Sequence, residues 1–305
     1  MADTTSYFAK HGGDGKIDRT HGRSGGQTRR SEGGQVMTGH FKIVFSDIDG
    51  TLLDSQNRVP VKTREAILEL EQRGIPFVLI SARSPEGMEP IKGELGNHVP
   101  MGSFSGGLIQ DAEGNVLSEK KIGLELAVAL KDMFDREFPQ LCCNTYGGSL
   151  WVVDDDRNPW VRGEEAITGL KASVGTVAEQ FAAMGGVHKF LLMGEPEEIR
   201  SAQERIHQVY PQLSLGASKP EYLEVMDGTV MKSAGIRMLC SKLGIPVEES
   251  IAFGDGLNDV GMLQAAGRGY AMANAPAEVR ERVAHTAPDN DHEGILAVLQ
   301  ELFDL

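Results

Sequence analysis

From Phe41 onward, short apolar runs alternate with amphipathic stretches. Phe41-Lys42-Ile43-Val44-Phe45 reads as a buried strand that ends at Ser46-Asp47. Residues 61–73 place Ala66, Ile67 and Leu70 at helical spacing, and Gly74 follows as a stop. Pro76-Phe77-Val78-Leu79-Ile80 is a second buried strand, ending at Ser81-Ala82-Arg83. This alternation predicts an α/β fold, a Rossmann-like doubly wound parallel sheet with helices on both faces. In such sheets ligands bind beyond the carboxyl ends of the strands, where Asp47 and Ser81 both fall.

The middle of the chain has a different texture. Leu108-Ile109-Gln110 and Val116-Leu117 flank Asp111-Ala112-Glu113-Gly114-Asn115, a hairpin signal. Helical patterns cover 124–138 and 196–210, with Pro196 at a first helical position and Glu197 and Glu198 facing the positive dipole end. Strands are predicted at 150–153, 187–193 and 222–225. Within 187–193, Lys189 reads as an exposed lysine. These signals predict an inserted α+β cap over 86–226, with 41–85 and 227–305 forming the core. After Lys232 the first pattern resumes: helix 233–243, strand 250–253, a helix from Asn258, a short strand at 270–272, a helix opened by Pro276 and a last helix at 294–303.

Residues 1–40 stand apart. The stretch 11–34 is rich in Gly, Arg and Ser and nearly free of apolar residues, so it cannot offset its chain entropy and is expected to be a disordered leader or extension. It lacks the apolar core of a secretory signal, and its aspartates count against a transit peptide. His11, His21 and His40 do not have metal-ligand spacing, and Met37 is a natural start.

Composition narrows the function. The chain of 305 residues is long enough for two domains. No apolar run approaches the roughly 20 residues that span a bilayer. A formal net charge of −14 excludes sequence-independent nucleic-acid binding, which needs a basic face. Three cysteines (Cys142, Cys143 and Cys240) form neither a disulfide framework nor a zinc motif, and a reducing, cytoplasmic setting is expected.

The sharpest chemical feature is Ser46-Asp47-Ile48-Asp49-Gly50-Thr51-Leu52-Leu53, two carboxylates just past a buried strand with a turn whose N–H groups can hold an anion. Gly254-Asp255-Gly256-Leu257-Asn258-Asp259 repeats the design, and Lys232 lies between the two motifs. Two like charges about 4 Å apart repel by roughly 4 kcal/mol at an effective dielectric of about 20. Carboxylates converging on one crevice therefore call for a cation, and Mg²⁺ suits an all-oxygen site that shares a substrate phosphate. A lone aspartate most often caps a turn or helix, a reading that fits two strand-end pairs poorly.

On these motifs, with Ser81 in Ser81-Ala82-Arg83 and the trailing Ala271-Met272-Ala273-Asn274-Ala275, the chain resembles the haloacid dehalogenase superfamily of phosphatases, in particular the Cof-like branch with a type IIB cap, over 41–305. The resemblance implies Asp47 as nucleophile and Asp49 as general acid/base. It implies that Ser81 and Lys232 hold the phosphate, with Gly50, Ala82, Arg83 and Asn258 beside it. It also implies Mg²⁺ on Asp47, Asp255 and the Asp49 carbonyl, with Asp259 orienting the lysine or supporting the metal shell. Ser105-Gly106-Gly107 stands where the branch has Asn-Gly-Ala, which removes a substrate-side contact. The implied activity is hydrolysis of a small-molecule phosphate ester through a phospho-aspartyl intermediate.

Within the cap, 144–149 is a polar segment that either meets a sugar-like group or forms a hairpin turn. Trp151 and Trp160 are core residues or stacking platforms. The rival functions are a phosphotransferase or phosphomutase acting on sugar phosphates, the phosphorylation domain of an ion pump, and a non-catalytic sensor of a phosphorylated ligand. The sequence does not specify an oligomeric state.

Overall fold

The computed structural model describes residues 40–305, so the expectations for the leader, including His11, His21 and Met37, lie outside the described residues. The strands run β1 Ile43–Ser46, β2 Phe77–Ile80, β3 Met101–Ser103, β4 Leu108–Gln110, β5 Val116–Glu119, β6 Ile122–Gly123, β7 Cys142–Gly147, β8 Leu150–Val153, β9 Ser173–Val174, β10 Gly186–Val187, β11 Lys189–Met193, β12 Leu213–Lys219, β13 Tyr222–Asp227, β14 Ser250–Gly254, β15 Arg268–Met272 and β16 His285–Ala287.

Eight of them form one sheet in the order β16-β15-β14-β1-β2-β3-β4-β5. Pairing is parallel from β16 to β3, and antiparallel where β4 and β5 extend the edge. Every residue of β1 is buried, as expected of a strand covered on both faces. Side chains alternate across the pleat. Val44, Leu79 and Phe253 pack with the helices Val61–Gln72 and Gly294–Phe303 on one face. Ile43, Phe45, Val78 and Ala252 pack with the helices Lys232–Leu243 and Val260–Ala265 on the other. This is the doubly wound α/β architecture that the strand–helix alternation predicts. The strand order reverses between β1 and β14, the switch point at which such sheets open a crevice.

A second sheet, in the order β12-β13-β11-β7-β8-β9, carries the helices Leu124–Glu137 and Pro196–Val209 on one face. Phe104 and Leu108 of the first unit join Tyr146, Trp151 and Leu191 in the apolar cluster on its other face.

The expected boundary near residue 86 is corrected by the pairing. The helix Pro85–Glu94 is capped by Ser84, whose hydroxyl accepts from the Gly87 N–H, and it buries Met88 and Ile91 against the large sheet. β3 then pairs with β2, and β4 and β5 follow it into the same sheet, so 86–119 belongs with the core strands. A hairpin signal is local and carries no information about which sheet the hairpin extends. The pairings of the inserted unit begin at β6, which joins β10.

Candidate active site

The carboxyl ends of β1 and β14 are pinned together. The Asp47 N–H donates to the Phe253 carbonyl at 3.0 Å. The chain then turns at Gly50, where φ is +73°, and closes with the Leu53 N–H on the Ile48 carbonyl at 3.0 Å. A Cβ at Gly50 would lie 2.4 Å from Asp255 Oδ2, so only glycine admits this approach. Thr51 Oγ1 donates to Asp255 Oδ1 at 2.7 Å, and Asn274 Nδ2 donates to the Gly50 carbonyl at 2.8 Å.

Lys232 opens its helix at the first position and is 2% exposed. Its ammonium donates to Asp47 Oδ1 and to Asp259 Oδ1, each at 2.6 Å. The second Asp259 oxygen accepts the N–H groups of Asp255 at 3.1 Å and Gly256 at 2.8 Å. Asp259 is thus engaged on both oxygens, and it fixes the lysine and the 254–259 turn.

The local charge balance is strained toward protonation. Burial, with the Asp259 charge beside it, pushes the Asp47 carboxyl up to about 8 despite Lys232. Burial also raises Asp255, against the hydrogen bond from Thr51. At Lys232 burial opposes the charged form, but Asp259 and Asp47 outweigh it and hold the ammonium above its usual range.

The end of β2 supplies the third wall. Ser81 is buried, and its Oγ accepts the Arg83 N–H at 3.3 Å. The Ser105 N–H donates to the Ser81 carbonyl at 2.7 Å from a left-handed backbone (φ +58°), bracing the loop in a way no motif announced. Arg83 forks onto the exposed Asp49, with Nε 2.9 Å from Oδ2 and Nη2 2.6 Å from Oδ1.

The donors fit a hard cation. Asp47, Asp255 and Asp259 each offer an oxygen within 4.8 Å of the others, with no thiolate or imidazole in the group. Burial raises the Asp47 and Asp255 carboxyls, and a cation among these oxygens would favour their charged forms. Asp49 lies outside this side-chain cluster, its carboxylate held by Arg83.

Of the residues singled out in the sequence, Asp47, Gly50, Lys232, Asp255 and Asp259 converge directly. Asp49 and Arg83 join as a pair. Ala82 enters through its carbonyl, which accepts from Lys189 Nζ at 2.9 Å. Asn258 is exposed, its side chain against Gly256.

Two other expectations change, and two open alternatives are resolved. Lys189, expected to be exposed, is buried against Glu224. Asn144 is no loop residue: it lies inside β7, accepts from Trp151 Nε1 at 3.0 Å and donates to the Leu191 carbonyl at 3.2 Å. Gly148 makes the β7–β8 turn, and Trp151 is a core residue. The sequence reading missed Thr51 as a site residue, although it stands inside the first motif.

Comparison with known proteins identifies the family. The family model of haloacid dehalogenase-like hydrolases matches residues 44–299, and the chain belongs to that family. It is 36% identical over 267 residues to a Haemophilus influenzae protein named "Putative phosphatase", covering 86% of this chain and 98% of that one. It is 26% identical over 285 residues to the phosphatase YwpJ of Bacillus subtilis, covering 86% of this chain and all (100%) of that one. A crystal structure of a haloacid dehalogenase-like hydrolase from Bacteroides thetaiotaomicron superposes with a TM-score of 0.78 at 26% identity, covering 86% of this chain and 100% of that one.

Among the described residues no helix is long and apolar enough to cross a membrane.

Proposed function

We propose that this protein is a Mg²⁺-dependent phosphatase that hydrolyses a small phosphorylated metabolite, a sugar phosphate or similar phosphomonoester, through a phospho-aspartyl intermediate on Asp47. The observation that carries the reading is the buried Lys232 ammonium, 2.6 Å from Asp47 and from Asp259, beside the Asp255 carboxylate at the sheet's switch point.

Asp47 has one oxygen held by Lys232 and the other free to attack phosphorus in line. The new P–O bond forms as the bond to the leaving oxygen breaks, and Asp49 supplies a proton to that oxygen. A water then attacks the acyl phosphate, giving its proton to Asp49 and releasing inorganic phosphate and the Asp47 carboxylate. Asp49 must leave the Arg83 fork for this work, which frees the guanidinium for the phosphate or the leaving group. Lys232 and the Ser81 hydroxyl offset charge on the transferring group, where most catalysis of phosphoryl transfer resides. Mg²⁺, held by Asp47, Asp255 and the Asp49 carbonyl, supplies further charge neutralisation when bound. The inserted unit acts as a cap that excludes water and reads the leaving group.

The test is inorganic phosphate release from a panel of small phosphomonoesters, with and without Mg²⁺, beside Asp47→Asn. Metal-dependent release that the variant lacks is the expected result. Undiminished release by the variant, or none by the wild type from any ester, sinks the proposal.

A further inference from the structure

One buried charge pair lies outside the catalytic cluster and reaches into it. Lys189 of β11 is 6% exposed, and its ammonium donates to Glu224 Oε1 of β13 at 3.1 Å. The same nitrogen lies 5.3 Å over the Tyr146 ring and donates to the Ala82 carbonyl at 2.9 Å. Glu224 and Tyr146 of the inserted sheet thus flank an ammonium that reaches one carbonyl of the large-sheet unit.

A buried lysine–glutamate pair is a poor source of stability, because apolar side chains of similar volume are often as good or better. Its position offers a different rationale. Ala82 stands between Ser81, whose hydroxyl accepts the Arg83 N–H at 3.3 Å, and Arg83, whose guanidinium grips Asp49. Fixing the Ala82 carbonyl fixes the peptide plane between the phosphate-side hydroxyl and the arginine. Ser105 fixes the preceding carbonyl, that of Ser81, at 2.7 Å, so the loop is held on successive peptides from two directions.

We propose that Lys189 is a positioning residue: aligned by Glu224, it couples the inserted sheet to the Ser81-Ala82-Arg83 loop and holds that loop in its working geometry. This rests on the phosphatase reading above. Lys189 does not touch the reacting atoms in this role; it acts through Ala82. Misplacement of about 1 Å in a catalytic group can lower a rate about 100-fold, so loss of the anchor falls on turnover more than on substrate capture.

The experiment compares wild type, Asp47→Asn and the double variants Lys189→Met/Glu224→Gln and Lys189→Gln/Glu224→Gln, neither of which leaves a buried charge unpaired. Steady-state phosphate release is measured with Mg²⁺ well below each melting temperature, so that lost stability alone leaves kcat unmoved. Lys189→Met/Glu224→Gln is expected to lose about 10- to 100-fold in kcat while KM stays within about twofold. Lys189→Gln/Glu224→Gln, which keeps an N–H donor, is expected to recover part of that loss. Wild-type kcat in Lys189→Met/Glu224→Gln overturns the inference and leaves the phosphatase reading standing, provided Asp47→Asn is dead. No release by the wild type overturns both.

Discussion

Thr51 and Asp255 stand 204 residues apart in sequence and 2.7 Å apart in space, with the threonine hydroxyl donating to the carboxylate. This bond joins the loop after β1 to the loop after β14 and orients one oxygen of Asp255, leaving the other toward the Gly50 turn. Thr51→Val keeps the shape and removes the donor. The variant is expected to lose about 1–3 kcal/mol of stability and to need several-fold more Mg²⁺ for half-maximal phosphate release. A metal titration superimposable on that of the wild type would remove Thr51 from the site.

Asp47→Asn is expected to lower turnover by about 10⁴-fold or more, since the proposed nucleophile has no substitute. The fold is expected to survive, because Lys232 retains Asp259. Circular dichroism and phosphate release on one preparation separate the two effects.

Lys232→Met leaves Asp47 and Asp259 facing each other in the interior with no counter-charge. Breaking a buried pair this way is expected to cost about 3–5 kcal/mol, read as a lower midpoint in urea. Added Mg²⁺ is expected to restore part of the loss, and a midpoint indifferent to Mg²⁺ would argue against a cation among these carboxylates.

The pH dependence of stability has a separate handle at Glu71. Burial pushes its carboxyl up to about 7, against the hydrogen bond it accepts from the Phe77 N–H. The folded state therefore favours the protonated form. The associated stability is fully present below the unfolded value of about 4.5 and is lost as pH rises through 7. Glu71→Gln is expected to be nearly neutral at pH 4.5 and to stabilise by roughly 2–3 kcal/mol at pH 8. Equal melting shifts at the two pH values would contradict the assignment.

Much of the core and of the candidate site was legible along the chain because buried parallel strands are continuous apolar runs and the candidate carboxylates follow them directly. Asp47 and Asp255 were found in this way, and Lys232 by its place between the two motifs. What was not legible depends on partners distant in sequence. Lys189 alternates with apolar neighbours as an exposed strand residue would, and nothing local shows that a carbonyl 107 residues away receives it. Asn144 has the polarity of a loop, yet Trp151 and Leu191 satisfy it inside a strand. β3 to β5 carry ordinary hairpin signals, and only their pairing with β2 shows which sheet they extend.

The place of β1 in the sheet has a consequence for biosynthesis. Its β2 side can be covered early, but its other edge waits for β14, whose Ser250 pairs with Ile43. At about 5–20 residues per second, the intervening chain takes about 10–40 s to leave the ribosome. Throughout that interval the β14-facing edge of this strand, with Asp47 just beyond its end, presents unpaired N–H and C=O groups to other nascent chains. That side of the strand is closed only once β14 has been made.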